Sequence, residues 1–438
     1  MPADRQFGFD TLQIHAGQRV DATTGARAQP IFQTAAYVFE DSQHAADLFD
    51  LNRFGNTYSR IVNPTNAAFE ERMAMLEGGV GALATASGMA ATAITMLTLV
   101  SSGDGIVSSQ NLYGGTHNQF ALQLPRFGVD VRFVDPHDLD AVRAAIDEHT
   151  RVLYAETIGN PRIDVLDIAG WAQIAEDAGL PLVIDNTFAT PYLCRPFEHG
   201  AHIVVHSATK FIGGHGTSIG GVIVDSGRYD WTRGLFPGVT EPSPGYRGMR
   251  FYETFGNFAF ITKARVETMR DFGPVLSPFN AFLLMQGLET LSLRMERHVG
   301  NAAAVASYLA SHPLASNVTY PGLASSRYRA AVDKYLPRGA GAVFSFDCRG
   351  GRAAGQDFIR GVTLWSHLAN VGDSKSLVIH PASTTHRQLD EDELRAAGVG
   401  PGTIRLSVGI EAVDDLIWDL EQGFARVAAS ATTGVASR

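Results

Sequence analysis

From about residue 60 onward the chain alternates two kinds of segment, and that alternation limits the folds open to it. ALATAS, DGIVSS, VDVRFVD, RVLYAET, PLVIDNT and HIVVHSATK are short and rich in β-branched and aliphatic residues. Between them lie NPTNAAFEERMAMLEGG, SGMAATAITMLTLV, THNQFALQLPRFG, DLDAVRAAIDEH and DIAGWAQIAEDAG, which read as helices. The first of these has Pro and Thr near its start and Gly just past its end, the usual start and stop signals. Short strands separated by helices predict an α/β fold with a mostly parallel sheet sandwiched by helices. No G-x-G-x-x-G follows the first strand, which counts against a nucleotide-binding oxidoreductase on such a sheet.

A length of 438 residues exceeds one small core, so two or more domains are expected. The stretch from about 226 to 262, including WTRGLFPGVTEPSPGYRG, is rich in Pro, Gly and aromatics and reads as a long irregular loop with a function. The segment SPFNAFLLMQGLETLSLRMERHVGNAAAVASYLASH then reads as helix, leading to a smaller α/β domain with strands such as GAVFSFD and TIRLSVGIE. The first sixty residues have no clear period and suit an extended arm. The expected division is an arm over 1–60, a large ligand-binding domain over 61–275 and a C-terminal domain over 276–438.

A net charge of −10 argues against nucleic acid or an anionic membrane as the main partner and leaves small molecules. Cys194 and Cys348 are the only cysteines, and the fourteen histidines show no ligand spacing, so neither a disulfide scaffold nor a metal site is expected. MPADRQFGFD lacks the apolar core of a signal peptide, and MAATAITMLTLV is too short to span a bilayer. A cytoplasmic protein is the expectation.

In open parallel sheets, ligands bind beyond the carboxyl ends of the strands. Asp185 closes PLVID, Lys210 follows IVVHSAT, and Glu156 closes RVLYAE with Asn160 shortly after. Each alone has a bland reading. A lone Asp after a strand is usually a turn or cap residue, and a lysine beside glycines is usually solvated. Here the lysine precedes the glycines, which sets aside a P-loop. The turn ATASGM offers small residues and free backbone N–H groups at a helix start, a weak signal by itself.

Together the pieces fit pyridoxal phosphate. That cofactor needs an amine for its aldehyde, a carboxylate opposite its ring nitrogen, donors for its phosphate and a flat side chain against its ring. Lys210, Asp185, the SGM turn with Ser207 and Thr209, and an aromatic such as Tyr113 supply all four.

The motifs YSRIVNPT, SGM, LYGGT, ETIGNP, DNTFATP, HSATKF and IRLSVGIE occur in an order and spacing that resemble the Cys/Met-metabolism enzymes dependent on pyridoxal phosphate, from about Thr11 to Ala425. The resemblance implies fold type I and a homotetramer of catalytic dimers. It makes Lys210 the lysine that carries the cofactor and Asp185 the partner of its ring nitrogen. Gly88, Met89, Ser207 and Thr209 match the phosphate cradle, and Tyr58 and Arg60 match residues that reach the phosphate in the neighbouring subunit. Tyr113 resembles the stacked tyrosine and proton relay, Asn160 the residue near the 3-hydroxyl, and Arg405, with Asn370, the clamp for the substrate carboxylate. Without the full set, Tyr58 and Arg60 would read as exposed loop, Arg405 as surface strand and Tyr113 as core packing.

Within the family, GHGTSIGGVIVDSG, LSPFNAFLLMQGLETLSLRMERH and NVGDSKSLVIHPASTTH look most like the branch that sulfhydrylates O-acetylhomoserine. The resemblance implies γ-replacement, with sulfide or methanethiol displacing acetate to give homocysteine or methionine. Cystathionine γ-synthase and the methionine or cystathionine γ-lyases on the same scaffold stay open as alternatives. Those relatives usually read SLGG-x-ESL where this chain has NVGDSKSL, so Asn370 replaces their serine and Lys375 their glutamate. A lysine there is expected to repel the ammonium group of cysteine and so to favour small thiols.

Overall fold

The computed structural model describes residues 5–384, 387 and 398–435. Seven strands form the larger sheet: β1 (Gly81–Thr85), β2 (Gly105–Ser109), β3 (Asp130–Val134), β4 (Thr150–Glu156), β5 (Leu182–Asp185), β6 (Ile203–Ser207) and β7 (Gly221–Asp225). Their spatial order is β1-β7-β6-β5-β4-β2-β3. Strand β7 runs antiparallel to β1 and β6, and the remaining pairs are parallel. The expected α/β class is therefore met, with β7 as the antiparallel exception.

Side chains alternate across these strands and are buried on both sides. Leu153, Ala155, Ile184 and Val204 join one core, while Val152, Tyr154, Val183 and Val205 join another. This is why the strands read as continuous apolar runs instead of one-sided alternation. The first sheet-covering helix, Pro64–Glu77, starts where expected: the Asn63 side chain accepts the Thr65 N–H at 2.9 Å. It stops at Gly78, whose φ of +80° suits glycine.

A second sheet holds β8 (Ala315–Ser316), β9 (Val343–Cys348), β10 (Ser366–His367), β11 (Leu377–Ile379) and β12 (Thr403–Ser407), in the order β10-β11-β12-β9-β8. It is antiparallel except between β10 and β11. One continuous core runs from Phe69 through Met295 and Val305 to Phe346 and Phe424, so the two sheets share packing. Such a shared core lets residues of the second sheet be held firmly against the first. No helix among the described residues is long and apolar enough to cross a membrane.

Two sequence expectations need correction. The first sixty residues are not wholly extended, since Phe9–His15 and Ser42–Phe49 are helices. The stretch 226–262 is no open loop. It folds into short helical turns whose Trp231, Phe236, Phe251 and Phe260 are at most 3% exposed. Trp231 stacks on Phe260 with centroids 5.7 Å apart and meets Tyr229 and Phe236 edge-on. Aromatic clustering, which has no sequence period, supplied the order that the Pro and Gly content hid.

Candidate active site

The carboxyl ends of β4, β5 and β6 bring Glu156, Asp185 and Ser207 to one edge of the sheet. Parallel register sets Glu156 opposite Asp185 and Asp185 opposite Val205. Lys210 follows β6 in a tight turn closed by Lys210 N–H to Ser207 O at 3.2 Å and Gly214 N–H to Lys210 O at 2.8 Å. The carbonyls of that turn are tied down by buried Arg294, which donates to Phe211 O at 2.7 Å and Ile212 O at 3.2 Å. A single pocket is lined by Lys210, Asp185, Ser207, Tyr113, Asn160, Asn370 and Arg405, together with Glu156, Thr187 and Phe188.

The second sheet supplies the far wall. Arg405 lies on β12 and Asn370 on the loop between β10 and β11. The Lys210 amine donates to Asn370 Oδ1 at 2.6 Å. Gly372, at φ +75°, lets that loop lie against the lysine's own backbone: a Cβ there would meet Phe211 N at 2.6 Å and Lys210 C at 2.9 Å. Burial, with Arg405 adding to it, brings the Lys210 amine down to about 8.

Asp185 is held by its own neighbours. Its Oδ1 accepts the Thr187 N–H at 2.9 Å and the Thr187 hydroxyl at 2.5 Å, and that hydroxyl accepts the Ser207 N–H at 2.9 Å. Burial raises the carboxyl above its ordinary range, opposed chiefly by the Thr187 donors. An acid in this position gains from a cation placed against it.

The residues present fit pyridoxal phosphate on structural grounds. Lys210 is a desolvated amine without a carboxylate partner among the described residues, as an aldehyde-binding lysine needs. The helix Gly88–Leu99 begins against Ser207, so closely that a Cβ on Gly88 would lie 2.6 Å from Ser207 Cβ. The first-turn N–H groups of Gly88 and Met89 have no intrahelical partner and can serve an anion. Tyr113 is half exposed and presents a flat ring at the pocket wall.

Not every expected residue lines this pocket. Gly88 stands against Ser207, the Met89 sulfur lies against the Thr116 hydroxyl at 3.9 Å, and the Thr209 hydroxyl exchanges hydrogen bonds with Gly220 (3.2 and 3.1 Å). Tyr58 and Arg60 lie elsewhere: Arg60 stands 5.3 Å over the Tyr58 ring and donates to the Arg270 carbonyl. Lys375 is also outside, with a 72% exposed side chain 3.9 Å from Asp373. This position gives the charge argument no support, because sequence position beside Asn370 does not fix where an exposed side chain points. Thr187 and Glu156 were given no role from sequence. Their signals were a Thr two residues after an Asp, which is a common turn pair, and a strand end beside another acidic strand end.

A larger cleft of about 1210 Å³ lies between the N-terminal segment and the helices near Cys194 and Tyr335, and contains none of these residues. Three of its arginines are engaged, Arg195 with Glu198 at 3.0 Å, Arg19 with Glu71 at 3.8 Å and Arg338 over Tyr192 at 4.6 Å.

A lysine past one strand end, an acid at the next and an anion-ready helix start together describe a pyridoxal-phosphate enzyme. The chain belongs to the Cys/Met metabolism PLP-dependent enzyme family, whose profile matches residues 10–425. It is 52% identical to the O-acetyl-L-homoserine sulfhydrylase of Leptospira meyeri over 432 residues, covering 97% of this chain and 98% of that one. It is also 52% identical to the homocysteine synthase of Schizosaccharomyces pombe, covering 96% and 99%. A crystal structure of a candidate O-acetylhomoserine (thiol)-lyase from Campylobacter jejuni superposes with a TM-score of 0.92 at 40% identity, over 95% of this chain and 99% of that one. That structure carries N'-pyridoxyl-lysine-5'-monophosphate.

Proposed function

We propose that this chain catalyses γ-replacement on O-acetyl-L-homoserine, with sulfide giving L-homocysteine and acetate, and methanethiol giving L-methionine. The reading is supported by relatives about half identical over nearly their whole lengths, which carry the names sulfhydrylase and homocysteine synthase. The observation that carries it is the convergence of Lys210, Asp185 and Arg405 on one pocket built from both sheets.

Bound pyridoxal phosphate supplies an electron sink for charge that develops at the substrate's α and β carbons. Lys210 holds the cofactor and, once freed, takes the proton from the α carbon, a task suited to an amine near 8. Asn370, already at hydrogen-bond distance from that amine, orients it. Asp185 would stand against the ring nitrogen of the bound cofactor and keep it protonated. Arg405 binds the substrate carboxylate through paired donors, and burial already lowers its pKa, so an anionic partner relieves it. Tyr113 covers the ring and relays protons, Asn160 serves the 3-hydroxyl, and Ser207, Thr209, Gly88 and Met89 hold the phosphate. Tyr58 and Arg60 complete the site of a neighbouring subunit, in a homotetramer of catalytic dimers located in the cytoplasm.

Steady-state rates with O-acetyl- and O-succinylhomoserine, each against sulfide, methanethiol and cysteine, test the assignment. Homocysteine from the acetyl ester and sulfide is the expected main product. Cystathionine as the main product, or a 2-oxo acid released without thiol, would overturn it.

A further inference from the structure

Two carboxyl groups stand side by side at the floor of the pocket. Glu156 ends β4, Asp185 ends β5, and their registers align. Glu156 is 7% exposed, and its Oε1 accepts the Tyr113 N–H at 2.6 Å. Neither carboxyl has a Lys, Arg or His nitrogen in ion-pair contact among the described residues. The groups that face Glu156 are acidic or neutral: Asp185 on β5, Asp164 and the Asn160 N–H on the loop after β4, and Tyr113 beyond β2. Tyr154 lies two residues back on the same strand, with its hydroxyl buried beside Asp185.

Among the described residues, no nearby cation acts on Glu156. His137 pairs with Asp164 at 2.8 Å, and His206, paired with Glu77 at 2.6 Å, favours the charged form of Asp185 instead. Lys210 reaches Asn370, and Arg405 acts on Lys210 and Tyr113.

We propose that Glu156 is a positioning residue that stays protonated in the holoenzyme, fixing Tyr113 through its backbone and leaving Asp185 as the one negative charge against the cofactor's ring nitrogen. This rests on the reading of the pocket given above.

Two adjacent carboxyls in a dry site cannot both ionise cheaply, and the one with a countercharge keeps its charge. Asp185 has two donors from Thr187 and gains the ring nitrogen when the cofactor binds. Glu156 gains nothing. Burial first, then Asp185, pushes its carboxyl well above the ordinary range, and the Tyr113 and Asn160 N–H groups oppose this only in part. A neutral acid still accepts the Tyr113 N–H. It also spares the ring nitrogen a second negative charge, so the nitrogen's protonation answers to Asp185 alone.

The test uses parent holoenzyme and Glu156→Gln at pH 8, compared by infrared difference spectroscopy. The expected difference is loss of a carboxylic-acid carbonyl band, and loss of a carboxylate band instead overturns the proposal. Cofactor dissociation constants add a second readout. Gln keeps a neutral acceptor and should bind the cofactor within about twofold of the parent, whereas Glu156→Ala leaves the Tyr113 amide unpaired and should bind about tenfold more weakly. An Ala variant that binds like the parent overturns the positioning role. Borohydride adducts are mapped in the same samples. An adduct away from Lys210 overturns the pocket reading and this proposal with it, while an adduct on Lys210 beside a carboxylate band overturns this proposal alone.

Discussion

The strand ends of the larger sheet, the irregular stretch 226–262 and Lys375 all looked functional in the sequence, and the structure treats them oppositely. Asp185 and Lys210 meet in one pocket with Arg405. The aromatics of 226–262 turn inward to form part of a core, and Lys375 turns outward to Asp373. Fold topology explains the difference. Every parallel strand must end at the same edge, so polar residues at strand ends are gathered there by the sheet itself. Nothing comparable gathers the residues of an irregular segment.

The comparison breaks most visibly at Lys210. Lys210→Ala should lose covalent cofactor attachment and about 10³-fold or more of its turnover. Borohydride reduction and peptide mapping should place the parent's adduct on Lys210. An adduct on Lys263 or Lys375 would show that the strand-end argument chose the wrong lysine. Asp185→Ala comes next. Removing one member of a buried charge pair costs roughly 3–5 kcal/mol, and cofactor affinity should fall accordingly. Near-parent affinity in that variant would count directly against its role.

The stretch 226–262 should fail in a different way. Trp231 is 1% exposed and ringed by Tyr229, Phe236 and Phe260. Trp231→Ala should cost about 3–5 kcal/mol of stability. Cofactor affinity of the folded fraction should stay within about twofold, as expected for independent sites. Thermal unfolding and cofactor titration on the same sample separate the two. A shift in thiol preference without loss of stability would instead assign the stretch 226–262 to the active site.

Much of this was legible because the fold rests on repeated local signals. The strands from ALATAS to HIVVHSATK are short apolar runs set between helices with their own start and stop signals, and the sheet follows. Lys210 and Asp185 were legible because the residue types conflict with strand burial. Glu156 was visible as a strand end, but its role depends on register with Asp185 and on a hydrogen bond to Tyr113, both long-range facts. The order within 226–262 was hidden because edge-to-face aromatic packing leaves no periodic trace. The direction of Lys375 was not legible, because it is set by its partner, Asp373, and not by the motif around it.

A gentler test sharpens the electrostatics of the pocket. The Lys210 amine stands at about 8 instead of its ordinary 10.5, because burial and Arg405 disfavour the ammonium form. Only the neutral amine attacks the cofactor's aldehyde, so attachment to apoenzyme should accelerate as pH rises through about 8 and then level off. A rise continuing toward 10.5 would mean that the amine is solvated. Asn370→Ala removes an acceptor that favours the ammonium form and should move the midpoint lower.

The smallest effect is expected at Lys375. Its side chain is largely exposed and its ion pair with Asp373 is long, so a charge there is screened by water. Lys375→Glu would place a like charge near Asp373, but at such exposure the cost is within about 0.5 kcal/mol. The ratio of rates with sulfide, methanethiol and cysteine should therefore stay within about twofold of the parent's. Asn370, five residues earlier in the same motif, touches Lys210 and should not be so tolerant. If Lys375→Glu instead raised the rate with cysteine tenfold, the like-charge argument would return, and the side chain would have to swing from Asp373 toward the pocket when substrate is bound.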